Sequence, residues 1–447
     1  MSTAEDRIPL SLNQEFLCMW DQGDEAGPFG PKYNIIFGVR VTGGVDEGVL
    51  QSALDDVVVR HEALRTLVIR DEKYQKVLPP GQVPLFVSDL GDVPAADRQL
   101  RAEQFIGEIE SGSYSAVELP LIRAFLGRFD GDDAVLVLIV HHTAADEWSM
   151  PLIMRDLAAF YAGRLENRPH GLADARQYPE YSVWEKQKLT SDSAAKSREF
   201  WAKELEGAQI LPLKTHFPRS AGRDKTTAWH RFSIAEDLGA ALLSTAKATR
   251  SSPFMVLLAA YNAFLHKLTG ETDVVVMTFT SGRGEASFHD TVGAFFNYLP
   301  LRTDLSGCET FADVVSRTRR TCLRAYAQDI PFGEIAAQAP QLMGPGMADD
   351  GAPCAFQVFR SPFAATGDAG GFTYQEIRRR LLPQAAGGDI PDGSMWHIDM
   401  EFDGEMAGTL GFNTNLYDAD GMRELAANFL GTLKNTVGAP DTPLDQI

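Results

Sequence analysis

Residues 134–140 read AVLVLIV, an unbroken apolar run, and the two residues that follow it are both histidine. An apolar run this short, bounded by polar residues, is the pattern of a buried strand. The histidines therefore begin the turn that follows the strand. Upstream, LIRAFLGRF leads into the polar turn DGDD, so two strands meet in a hairpin whose second strand delivers the histidine pair. Downstream, Ser149 is placed to cap a helix and Pro151 suits its first turn, with Ile153, Leu157, Phe160 and Tyr161 along one face. The histidines thus occupy a short strand-to-helix connection.

The N-terminal half alternates strands and helices, which predicts an α/β chain. Tyr33 to Thr42 reads as a strand, and Leu50, Leu54, Val57, Val58 and Leu64 recur at helical spacing, with RHEALRT near the end of that helix. A second series begins near Trp229. It contains a helix through SSPFMVLLAAYNAFLHKL, the strand DVVVMTFT ending at SGRG, a strand near Met400 and a closing helix from Gly421 to Thr436. Between the two series GLADARQYPEYSVWEKQKL marks a boundary, so the expected domains are 1–180 and 181–447. Pro340–Asp350 and Gly387–Gly393 read as surface loops.

Bulk properties exclude several classes. The chain has 447 residues, long enough for two cores, and it contains no apolar run near the ~20 residues of a bilayer span. MSTAEDRIPL lacks the basic start and apolar core of a secretory signal, so a cytoplasmic protein is expected. Cys18, Cys308, Cys322 and Cys354 are few and scattered without CxxC spacing; they predict free thiols rather than zinc ligands, and no metal site is expected. A formal net charge of −20 opposes binding to nucleic acid.

The histidine pair points to proton transfer. Imidazole has a reference pKa of about 6.5, which suits a base at neutral pH. On extended backbone adjacent side chains face opposite ways, so His141 and His142 do not share one role. No GxSxG nucleophile motif accompanies them. A base without a protein nucleophile fits direct transfer between two bound substrates.

His141, His142, Asp146 and Ser149 resemble the HHxxxDG-and-serine hallmark of the condensation domains of nonribosomal peptide synthetases. Other stretches resemble further motifs of that family in the expected order: PLSLNQEFLCMW near the start, RHEALRT at 60–66, YPEYSVW at 178–184, VGAFFNYLPLR at 292–302 and QDIPF at 328–332. The resemblance implies a V-shaped pseudo-dimer of two chloramphenicol acetyltransferase-like lobes with a tunnel between them. It implies that His142 lies where the donor thioester meets the acceptor nucleophile, as base or as positioner, with His141 in a structural place. Asp146 would be structural, paired with an arginine of the other lobe, which the match to SGRG identifies as Arg283. Gly293 and Asn297 would approach a ligand in the tunnel, whereas Phe295, Phe296 and Tyr298 suit a core. Arg60 and Arg65 are expected to act structurally, as cations at a helix C-terminus. Glu147 departs from the family, which has glycine there.

The implied chemistry needs no permanently bound cofactor. An acyl-loaded peptidyl carrier protein would present the donor on its phosphopantetheine arm. The acceptor would be a small amine or alcohol, or a second carrier, giving an amide or an ester. With one such domain and no GxxS carrier segment, the chain resembles the free-standing members. Three alternatives share the fold: an epimerisation domain, a coenzyme A-dependent acyltransferase and a non-catalytic recruitment domain.

Overall fold

The computed structural model describes residues 7–447 except 362, 364, 365, 379, 381, 383–387, 391 and 401–405; the expected Gly387–Gly393 loop falls partly outside them. The chain forms two compact units. The first is Met1–Thr190, Ser281–Phe296 and Ser361–Pro391, and the second is Ser191–Thr280, Asn297–Arg360 and Asp392–Ile447. This division corrects the single cut expected after residue 180. That cut would split the helix Tyr178–Lys188, whose Tyr178 and Tyr181 share a core with Phe288 and Phe295. Burial of these four rings draws the 281–296 segment back into the first unit.

The first unit contains α1 (Leu12–Met19), β1 (Asn34–Thr42), α2 (Glu47–Arg60), β2 (Leu85–Asp89), α3 (Arg98–Glu110), β3 (Ile122–Arg128), β4 (Asp133–His141), α4 (Ser149–Leu165) and α5 (Tyr178–Lys188). The second contains β5 (Thr227–Ile234), α6 (Pro253–Thr269), β6 (Asp273–Thr280), β7 (Asn297–Asp304), α7 (Phe311–Tyr326) and β8 (Cys354–Phe359). Strands β9 (Thr366–Asp368) and β10 (Thr373–Glu376) return to the first unit, and β11 (Ser394–Met400), β12 (Met406–Asn413) and α8 (Ala419–Val437) complete the second. Each unit is built on a six-stranded sheet, ordered β9-β10-β1-β4-β3-β2 in the first and β7-β6-β8-β11-β12-β5 in the second. Both sheets are mixed: β2 runs parallel to β3, and β8 parallel to β6 and β11, while the other pairs are antiparallel.

The two-sided burial of β4 explains its composition. Ala134, Leu136, Leu138 and Val140 enter the core shared with α2 and α4, whereas Val135, Val137 and Ile139 enter a second core with Phe105 and Ile106 of α3. Successive strand side chains point to opposite faces, so a strand covered on both sides carries an unbroken apolar run. The hairpin turn occupies 129–132, between Arg128 and Asp133. In the second unit α6 is capped by Ser252 and ended by Gly270 in left-handed backbone (φ 79°). It is buried continuously from Met255 to Leu265, and its Tyr261 packs against Phe356, Trp396 and Phe429.

RHEALRT spans a junction rather than a single helix end. α2 stops at Arg60, His61 caps it, and Leu64 lies in the short turn Glu62–Arg65. Arg65 donates to the Val58 and Leu78 carbonyls at 3.2 and 2.7 Å, so it does satisfy a C-terminal carbonyl of α2. Arg60 acts differently from the expected dipole role. Its Nε lies 2.7 Å from Asp156 Oδ2 in the middle of α4, and the same carboxylate meets His61 Nε2 at 2.9 Å and Arg155 Nε at 2.8 Å. Burial alone would raise the Asp156 carboxyl, but the His61 and Arg155 contacts hold it down at about 2. The motif therefore pins α2 to α4 through one buried carboxylate.

Candidate active site

The last residue of β4, His141, is buried, with Nε2 3.1 Å from the Gly30 carbonyl and Nδ1 2.8 Å from Thr143 Oγ1. A carbonyl only accepts, so Nε2 carries the proton and Nδ1 accepts from the threonine hydroxyl. Burial pushes this imidazole down to about 4. Both nitrogens are engaged and the ring is neutral.

His142 has the opposite tautomer. Its Nδ1 lies 2.9 Å from the Ala145 carbonyl, so Nδ1 donates and Nε2 keeps its lone pair. Burial lowers its pKa below the ordinary histidine value, with the Asp146 charge and the Ala145 carbonyl pulling the other way. The backbone N–H of His142 donates to the Tyr33 carbonyl at 2.9 Å. The Tyr33 ring stacks on the imidazole, and Phe296 approaches it at 4.8 Å. Alternation at the strand end thus separates a satisfied histidine from one whose Nε2 meets no hydrogen-bond partner among the described residues.

Asp146 is buried at the end of the same turn. Arg283 holds it in a two-point fork, Nη1 to Oδ2 and Nη2 to Oδ1, the second at 3.0 Å. Oδ1 also receives the Ser149 N–H at 2.9 Å and its hydroxyl at 2.7 Å, and Oδ2 receives the Phe295 N–H at 3.1 Å. A carboxylate offers about four lone-pair sites, and these contacts occupy it fully. Asp146 has no acceptor capacity left for chemistry. Arg283 further donates to Ser149 Oγ at 3.0 Å and the Thr291 carbonyl at 3.1 Å. Among the described residues its Nε finds no partner; the Phe295 ring, with its centroid 4.0 Å from Cζ, offsets part of that loss.

Two expectations change here. Arg283 belongs to the 281–296 segment and so to the same unit as Asp146, and the pair is internal to the first unit rather than drawn from the other lobe. Ser149 does not cap α4: the cap position is Trp148, whose side chain makes no capping hydrogen bond. The Asp146 carboxylate takes the Ser149 N–H instead, which places negative charge at a helix N-terminus, where it is favourable. Ser149 Oγ accepts from the Gly293 N–H at 3.1 Å and lies 3.0 Å from the Gly293 carbonyl.

Gly282 is required by its backbone. It has φ +64°, and a Cβ there would lie 1.9 Å from the Phe295 carbonyl oxygen, so only glycine lets the SGRG turn close on the 293–296 segment.

Gly293 and Asn297 are each held by their own set of partners. Gly293 is buried against Tyr178, where a Cβ would meet Cδ2 at 2.1 Å. Its backbone groups both face Ser149, so its smallness serves packing. Asn297 begins β7 in the second unit. Its Nδ2 donates to Asp329 Oδ1 at 2.8 Å and the Ile330 carbonyl at 2.9 Å, and its Oδ1 accepts the Phe332 N–H at 2.8 Å. That amide clasps the QDIPF stretch.

Glu147 is half-buried. The positive-φ non-glycine residues among those described are Lys73, Asn167 and Arg250, so the turn at Glu147 does not demand glycine. Glu147→Gly is therefore expected to cost about 1 kcal/mol or less, through added freedom of the unfolded chain. Turnover should stay within about tenfold, or 1.4 kcal/mol of barrier. A folded variant that still binds its donor but has lost turnover would place the glutamate in the chemistry.

Tyr33 and the Ala145 carbonyl are contributors that sequence reasoning missed. Neither has a local signature, since one acts as a ring across a sheet register and the other as backbone. The N-terminal and YPEYSVW motifs meet behind the site: Ser11 Oγ and Tyr178 OH are 2.7 Å apart, and Tyr178 OH and Asn13 Nδ2 each donate to the Ala294 carbonyl at 2.7 Å. They buttress the segment that carries Phe295 and Phe296.

Residues 4–344 match the family model of the Condensation domain. The SgcC5 protein of Streptomyces globisporus, crystallised with (R)-(-)-1-(2-naphthyl)-1,2-ethanediol and sucrose, is 47% identical, with a TM-score of 0.94 covering 97% of this chain and 100% of that one. The first condensation domain of the calcium-dependent antibiotic synthetase is 21% identical and shares the fold, with a TM-score of 0.79 covering 99% of this chain and 98% of that one. Malpinin synthetase of Mortierella alpina is 32% identical over 351 residues, 76% of this chain; the matched part spans 4% of that relative's length. No helix among the described residues is long and apolar enough to cross a membrane.

Proposed function

We propose that this chain, which belongs to the condensation domain family, transfers an acyl or aminoacyl group from a carrier-protein thioester to an amine or alcohol in natural-product biosynthesis. The observation that carries the reading is the geometry of His142: Nδ1 is held 2.9 Å from the Ala145 carbonyl, which leaves Nε2 to act as the base, and burial favours the uncharged ring. Nε2 would take the acceptor's proton as its nitrogen or oxygen attacks the thioester carbonyl. The tetrahedral adduct then expels the thiolate by breaking the C–S bond, and the proton passes to that sulfur. The step forms one amide or ester bond and frees one thiol, with no protein nucleophile. A positioned base contributes about 10²- to 10⁴-fold, and alignment of the two substrates contributes several kcal/mol more. Asp146, Arg283 and Ser149 serve shape, holding the turn from which His142 projects.

The aryl ethanediol bound to a chain 47% identical supports the alcohol arm of this reading, and hence an ester product. The test incubates the protein with acyl- and aminoacyl-loaded carriers and a panel of 1-aryl-1,2-ethanediols and aryl ethylamines, reading products by intact mass. An ester or amide of acyl plus acceptor supports the proposal. Transfer from acyl-coenzyme A alone, stereochemical inversion without mass change, or carrier binding without turnover would each replace it with one of the alternatives.

The pH profile supplies an independent check. A reaction that needs neutral imidazole is complete above the imidazole pKa and is lost as pH falls through it. Burial lowers the His142 value, so the acidic limb of kcat/KM is expected below the ordinary ~6.5. A limb at or above that value would contradict the assignment.

A further inference from the structure

The imidazole of His142 and the phenol ring of Tyr33 lie 4.8 Å apart, centroid to centroid, with planes 18° from parallel. Tyr33 is buried, and its carbonyl accepts the His142 N–H at 2.9 Å, so one residue holds both the backbone and the ring of the histidine. Its own N–H donates to the Gly30 carbonyl at 3.2 Å, the same oxygen that the His141 ring meets. The 30–33 segment is thus tied to both histidines. Stacking restricts imidazole rotation about its last side-chain bond, which would otherwise let Nδ1 leave Ala145. An aromatic face also attracts a cation through its quadrupole.

We propose that Tyr33 is a positioning residue for His142: its stacked ring fixes the orientation that aims Nδ1–H at Ala145, and it stabilises the imidazolium formed when Nε2 accepts a proton. This rests on the acyl-transfer reading for its catalytic consequence, but not for its physical one. Among the described residues the charged and titratable groups that act on the ring are Asp146, already engaged by Arg283, and the neutral His141; Glu147 follows in the same turn. All of them remain in a variant at position 33.

The experiment follows histidine ring resonances by NMR in labelled full-length protein without substrate, assigning His142 by its loss in His142→Ala. Tyr33→Leu is expected to move the His142 titration down by about half a pH unit, the range of an aromatic-cation contact. It should cut kcat about tenfold with KM values within twofold, and Tyr33→Phe should recover both. Pentafluorophenylalanine at position 33 keeps the ring shape and reverses its quadrupole, so it should titrate below the Phe variant even if Tyr33→Leu does not fold. An unchanged titration in Tyr33→Leu, or identical titrations for the two ring variants, would overturn the proposal. Because that readout needs no substrate, failure of acyl transfer would leave it intact and would count against the function alone.

Discussion

Replacing His142 with alanine is expected to slow acyl transfer at least ~100-fold, within the range that loss of a general base produces. The loss should fall on kcat, with KM little changed, because the base acts on a proton in flight rather than on ground-state binding. The fold should survive. The ring is half-buried, its side-chain hydrogen bond is to one carbonyl, and Tyr33 beside it is held by its own N–H to the Gly30 carbonyl. His141→Ala provides the contrast. It removes a buried ring and takes the acceptor from the buried Thr143 hydroxyl, while Gly30 keeps the Tyr33 N–H, so its main effect should be on the unfolding midpoint, where the lost hydrogen bond and the space left by the ring cost ~1–3 kcal/mol. Stopped product formation with an unchanged melting curve in His142→Ala, and the reverse in His141→Ala, would separate the two roles. Full turnover without His142 would remove it from the mechanism.

Arg283→Ala should be the most destabilising single change at the site. It leaves the buried Asp146 carboxylate with only its backbone and serine donors, and breaking a buried ion pair in this way costs about 3–5 kcal/mol. It also removes the hydrogen bonds to Ser149 and Thr291 and the contact with Phe295. Asp146→Ala should be comparably severe alone yet add little to Arg283→Ala, since the charge that needed compensation is already gone. Denaturant unfolding of the two single variants and the double variant measures this as a coupling term. Simple additivity would mean that the two side chains stabilise the unit independently.

Local pattern made much of this molecule legible. The apolar run of β4, the polar hairpin turn before it, the helical spacing in α2 and the capped, apolar α6 are all determined by forces acting over a few residues: side-chain alternation, turn chemistry and capping. Motif order carried the identity of the histidine turn and of Arg283. Those signals extend no further than the neighbourhood that generates them. The sequence could not show that the cut after residue 180 divides a helix, that 281–296 folds back into the first unit, or that Ser149 serves Asp146 and Gly293 rather than the helix end.

What the amino-acid order determined by itself, then, is the strand that runs into two histidines and the opposite directions of those side chains, while the pairing of Asp146 with Arg283 came from the family resemblance. Tertiary structure decided which nitrogen of each ring holds the proton, because that depends on the carbonyl each meets: Gly30, 111 residues before His141, in one case and Ala145, within the same turn, in the other. It decided that Tyr33 stacks on His142, since register between β1 and β4 sets Asn34 opposite His141. It also decided that Gly293 is small for Tyr178 and that Asn297 holds Asp329. Each of these depends on packing between segments far apart in sequence or on one carbonyl's direction, and neither leaves a periodic trace in the residues that take part.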